Sequence, residues 1–73
     1  MNKAREKFVE LAEKRVSRAL KDLQLIGNLS NRNNYKYTEQ DVKKIFDSLE
    51  AELRNAKVRF IYHRDQTGVD FKL

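Results

Sequence analysis

The stretch from Asn28 to Tyr37, Asn-Leu-Ser-Asn-Arg-Asn-Asn-Tyr-Lys-Tyr, gathers more recognition chemistry than any other part of the chain. Asn28, Asn31, Asn33 and Asn34 bring carboxamides that donate and accept, Arg32 a planar guanidinium, Lys36 a point charge, and Tyr35 and Tyr37 aromatic rings. Carboxamides pair with base edges and other polar groups, a guanidinium grips phosphate or carboxylate with two parallel bonds, and a phenol ring offers a stacking face. Asn28, Asn31, Arg32, Asn34, Tyr35, Lys36 and Tyr37 are therefore the candidate ligand-binding residues, and an anionic, nucleotide-type small molecule is the ligand class they suit. The competing reading is structural. Asn and Ser bond to their own backbone in turns, Leu29 can plug the end of a helical hairpin, and Tyr37 has a place in a helix start. Asn28-Leu29-Ser30 also fits the glycosylation sequon, a chance match in a chain with no secretory signal.

Two other groups of residues invite chemistry. Lys7, Lys14 and Lys21 recur every seven residues, which on a helix sets them in a line roughly 10 Å apart. With Arg18, and Lys3 nearby, they are the candidate nucleic-acid contacts, able to follow a phosphate backbone. A solvated face of lysines is the plainer explanation, and Glu10 interrupts the field. His63, beside Arg64 and Asp65, is the one histidine. No nucleophile is placed beside it by a recognisable motif, so it is expected to be a surface residue rather than a general base. Glu50 and Glu52 do not share a helical face, and the chain carries no H-E-x-x-H, glycine-rich phosphate loop or calcium loop. No catalytic residues, no metal and no cofactor are expected, and the protein reads as a non-enzyme.

These groups need elements to hold them. From Asn2 to Ile26 there is neither proline nor glycine, and Val9, Ala12, Val16, Ala19, Leu23 and Ile26 fall at alternating steps of three and four. That is a helix over 2–26 with a coiled-coil-like seam, widened by Phe8 and Leu20. Gly27 stands where a left-handed helix-ending residue belongs. A loop over 27–37 follows. Thr38 and Asp41 form a T-x-x-D variant of the capping box, and Tyr37 and Val42 occupy the positions of a hydrophobic staple. A second helix over 38–57 is expected, with the seam Val42, Phe46, Leu49, Leu53, Ala56 and Phe60, and with Glu39–Lys43 and Glu50–Arg54 pairs on its wet side.

After Ala56 the period changes to two: Val58, Phe60 and Tyr62 alternate with Arg59, Ile61 and His63, and Val69, Phe71 and Leu73 with Asp70 and Lys72. Asp65-Gln66-Thr67-Gly68 between them suits a hairpin loop. A β-hairpin over 58–73 is therefore expected; the competing reading extends the second helix to about Tyr62. The fold class is mainly α, an antiparallel two-helix hairpin with a short C-terminal β-hairpin, in one domain over 1–73.

A chain of 73 residues buries too little apolar surface to be comfortably stable alone. With no cysteine a disulfide is excluded, and one histidine cannot furnish an ordinary structural zinc site. Homo-oligomerisation is the remaining route. Val9, Val16, Leu20, Leu23, Phe46, Leu49 and Leu53 are the candidate oligomer interface, and outer residues such as Leu11, Leu25 and Ile45 also call for cover.

Sixteen Lys plus Arg against eleven Asp plus Glu give a formal charge of +5, a moderate bias towards anionic partners. The charged first thirteen residues contain no signal-peptide core, and no run approaches a membrane span, so a cytoplasmic protein with no membrane partner is expected.

The run Ile26-Gly27-Asn28-Leu29-Ser30-Asn31-Arg32, then Asn34-Tyr35, Tyr37-Thr38, Asp41-Val42 and Lys44-Ile45-Phe46, resembles a group of short uncharacterised proteins of bacteria and their phages. The resemblance covers about Arg15 to Phe60. It implies that the loop is the distinctive part of the chain and that the origin is a phage or mobile element, which would place the protein in the host cytoplasm. The resulting expectation is a small oligomeric binder that sequesters a nucleotide-type signal of host immunity. The alternatives are a nucleic-acid-binding accessory protein and a small inhibitor or adaptor of a host protein whose C-terminal strand joins a partner's sheet.

Overall fold

The computed structural model describes residues 2–68, and side chains as far as His63. Within them the chain is two helices, α1 over Lys3–Asn28 and α2 over Glu39–Gly68, and no strand. The division between the two units of the chain falls after Lys36.

Helix α1 begins at a cap that the reading of the sequence did not assign. Asn2 is extended at φ −85 and ψ 117, and its side-chain oxygen accepts hydrogen bonds from the amides of Ala4 at 2.8 Å and Arg5 at 3.4 Å. Two of the four amides that a helix start leaves without an internal partner are thereby satisfied. In the first turns Arg5 lies over the ring of Phe8, 5.8 Å from its centroid, a cation–π contact at an exposed site.

The far end of α1 departs from expectation. Gly27 is an ordinary helical residue, and no glycine among the described residues has a positive φ. The helix runs on to Asn28 and ends at Leu29, which keeps right-handed angles of −69 and −9. The last carbonyls are satisfied by tightening. Leu29 donates to the Ile26 carbonyl at 3.0 Å and Ser30 to the Gly27 carbonyl at 3.1 Å, the three-residue spacing of a 3₁₀ turn. With the carbonyls served in this way, no left-handed residue is required.

Helix α2 begins as its sequence predicts. Thr38 donates its amide to Asp41 Oδ2 at 2.9 Å, and the Asp41 amide donates to Thr38 Oγ1 at 3.0 Å. This is the reciprocal capping box, and the carboxylates of Glu39 and Asp41 also sit favourably at the positive end of the helix dipole. Tyr37 and Val42 are both half-buried, as staple residues should be. One turn on, Lys43 pairs with Asp47 at 2.7 Å in place of the expected Glu39–Lys43 and Glu50–Arg54 pairs. Both partners are well exposed, so the choice among such pairs turns on a few tenths of a kcal/mol at ~25 °C.

The expected β-hairpin over 58–73 is overturned where the structure describes it. Residues 58–68 continue α2, past the Tyr62 limit of the competing reading, and the second strand at 69–73 lies outside the described residues. The physical reason is the cost of starting against the cost of continuing. At Lys57 a helix already exists, and each further residue adds one hydrogen bond without a new nucleus. A two-stranded hairpin alone in water is marginal.

Among the described residues none is buried. No helix there is long and apolar enough to cross a membrane.

Two substitutions test these helix ends by thermal unfolding followed by circular dichroism. A Cβ built on Gly27 meets nothing within 4 Å. Gly27→Ala is therefore expected to raise helicity and stabilise by about 1 kcal/mol, whereas a left-handed cap would make it destabilising. Thr38→Ala removes one half of the capping box and is expected to cost about 1 kcal/mol, with Thr38→Ser close to the parent.

Candidate functional site

The connection between the helices is built from successive turns. After the tightened end of α1, Asn31 Oδ1 accepts a hydrogen bond from the Asn33 amide at 2.9 Å. The Asn31 carbonyl then accepts from the amides of Asn34 at 3.1 Å and Tyr35 at 3.0 Å. Asn31 thus serves its own backbone as an Asx turn, which is the structural role weighed for the asparagines. Its Oδ1 is engaged in that bond.

Around this turn, Asn28, Arg32, Asn34, Tyr35 and Lys36 are exposed, with 48% of Tyr35 open to water. The structure keeps these residues and Asn31 in the first unit, and Tyr37, half-buried, stands at the start of the second. No group of three or more His, Asp or Glu among the described residues is arranged to hold a metal ion.

The candidate interface residues lie on the apolar stripes of their own helices. On α1, Val9 is half-buried while Val16, Leu20 and Leu23 are exposed; on α2, Leu49 is half-buried while Phe46 and Leu53 are exposed. Because α2 continues through Phe60, its seam keeps the alternating spacing from Val42 to Phe60 without a break.

Helix α2 also brings Arg59 and His63, which the strand assignment took out of helical spacing, beside the seam residues Ala56 and Phe60. Ala56, Arg59, Phe60 and His63 fall on one helical face and line a shallow open depression of about 290 Å³. The His63 ring meets Tyr62 edge-on, with centroids 5.9 Å apart and planes at 78°. Reading these residues at helical rather than strand spacing would have found the group.

On α1 the candidate nucleic-acid residues Lys7, Lys14, Arg18 and Lys21 are all exposed. None of these four has an ion-pair partner among the described residues.

The Asx turn carries its own test. Asn31→Ala is expected to speed amide exchange at Asn33 and Tyr35 and to cost about 1 kcal/mol in the absence of any ligand. Asn31→Asp, which keeps an accepting oxygen, should hold the turn. Equal exchange in all three proteins would show that the side chain does not set the loop. No protein-family model, curated protein or solved structure matches this chain.

Proposed function

We propose that the chain is a non-catalytic binding module that associates with copies of itself through its helix seams and holds an anionic, nucleotide-type ligand at Asn28, the last residue of α1, and the 29–36 connection that follows it. The observation that carries the reading is the loop's division of labour. Its backbone is served by its own turns, through Asn31 and the tightened end of α1, while Asn28, Asn34, Tyr35 and Lys36 present their side chains to solvent. Arg32 supplies charge for a phosphate, Tyr35 a stacking face, and Lys36 and the carboxamides supply selectivity.

Self-association is supported by the exposed stripes. Leu53 is 60% and Phe60 67% exposed, and Val16, Leu20, Leu23 and Phe46 are likewise open. Leaving the apolar stripe of each helix in water forgoes the main stabilising term available to so short a chain, at about 25 cal/mol per Å² of apolar surface. Packing as an antiparallel helical hairpin, and then copy against copy into a bundle, would cover both seams. In a phage, an abundant binder of this kind could sequester a nucleotide signal of host immunity, a task that needs affinity and no turnover.

Native mass spectrometry of the protein purified from cells, repeated after adding a mixed pool of nucleotides and cyclic nucleotides, tests the reading. A defined oligomer that retains a small anionic mass is expected. Arg32→Ala and Tyr35→Ala should each lose at least tenfold in retention, about 1.4 kcal/mol, while the oligomer persists. An oligomer that stays empty, or variants that bind as well as the parent, would remove the ligand assignment. A monomer at micromolar concentration would remove the assembly.

A further inference from the structure

Helix α1 carries a second feature that the loop reading leaves unused. Over an unbroken helix from Lys3 to Asn28, Lys3, Lys7, Lys14, Arg18 and Lys21 fall within about 60° of one another when each residue advances the helix by about 100°. They span roughly 27 Å along the axis. The seam of Val9, Ala12, Val16, Ala19, Leu23 and Ile26 lies about half a turn away. All five cations are exposed, and none has an ion-pair partner among the described residues. Glu10 and Asp22 stand at the two edges of this face, so the cations hold its centre.

We propose that this face of α1 binds the phosphate backbone of duplex nucleic acid without reading its sequence. Duplex DNA offers one charge per about 1.7 Å of axis, so a 27 Å line of five cations always has phosphates in reach of its flexible lysine stems. No aromatic ring shares the face and no carboxamide stands at its centre, so base stacking and base-edge readout are not on offer. A lipid surface suits the helix less well. Embedding α1 would sink the opposite face, whose seam is three valine or isoleucine residues, two alanines and one leucine, widened by Phe8 and Leu20 but with no tryptophan to anchor it at an interface. Because the cations lie opposite the seam, burying the seam against another copy leaves them in water. The proposal does not rest on the ligand loop.

Fluorescence anisotropy of a labelled 30-base-pair duplex of arbitrary sequence, titrated with the full chain at several salt concentrations, tests it. Five phosphate contacts predict a slope of about −4.5 in log affinity against log salt, a loss of about 500-fold between 50 and 200 mM. The triple variant Lys7→Gln, Lys14→Gln, Lys21→Gln should keep its helical dichroism and flatten the slope to about −1.8, with a salt loss of about 12-fold. The matching variant Lys7→Arg, Lys14→Arg, Lys21→Arg should bind like the parent. A control of equal charge on α2, Lys44→Gln, Arg54→Gln, Lys57→Gln, should retain the parental slope. Equal losses in the α1 and α2 variants would overturn the proposal in favour of net charge alone. It would also fall if the arginine variant lost binding, if no duplex bound at 50 mM salt, or if only vesicles of anionic phosphatidylserine bound.

Discussion

Apolar surface without cover is the constraint on which this chain depends. Both helices are built to the spacing of a packed seam, yet among the described residues no side chain is buried. Within each helix, length, caps and local contacts are the stabilising features that the structure shows. Helices of 26 and 30 residues are beyond the roughly 12–15 residues below which an isolated helix is marginal in water. The seams are thus presented on elements that can exist before anything covers them.

The caps matter more here than they would in a domain with a core. In a packed protein a lost cap is one small term among many, whereas among the described residues of α1 and α2 no buried side chain adds to the terms beside it. Asn2 serves two amides of α1, and Thr38 and Asp41 serve each other's backbone at the start of α2. The same chemistry shapes the connection, where Asn31 repeats the manoeuvre on Asn33. Four polar residues thereby set where each helix starts and how the connection turns.

What could be read from the sequence follows from how local each signal is. The Thr38–Asp41 box spans four residues and involves no tertiary neighbour, so its residue types sufficed to place it. Both helical seams were legible for the same reason. Gly27 misled because glycine is permissive rather than prescriptive: it can adopt a left-handed conformation, and whether it must depends on how the last carbonyls are satisfied. The C-terminal segment misled because Val58, Phe60 and Tyr62 alternate while Ile61 breaks the alternation, and Phe60 also continues the helical seam from Ala56. A short apolar run can satisfy both periods, and the helix already in place decides between them. In the loop, residue types named the chemistry but not its division. The sequence offered each asparagine as either ligand or turn residue, and only coordinates show that Asn31 Oδ1 is turned to its own backbone.

The α1 repeat does two jobs with one period. Steps of three and four lay down Val9, Ala12, Val16, Ala19, Leu23 and Ile26, and steps of seven and four set the cations from Lys3 to Lys21 about half a turn away. Because both sets follow the helix, neither drifts into the other over its length. Apolar burial is favoured by salts that strengthen the hydrophobic effect, whereas phosphate contacts are weakened by any salt. One helix therefore carries two surfaces, of which the line of charge answers to salt concentration and the seam to the kind of salt, and the two can be changed separately: an alanine in the seam leaves the line of charge intact, and a glutamine in the line of charge leaves the seam intact.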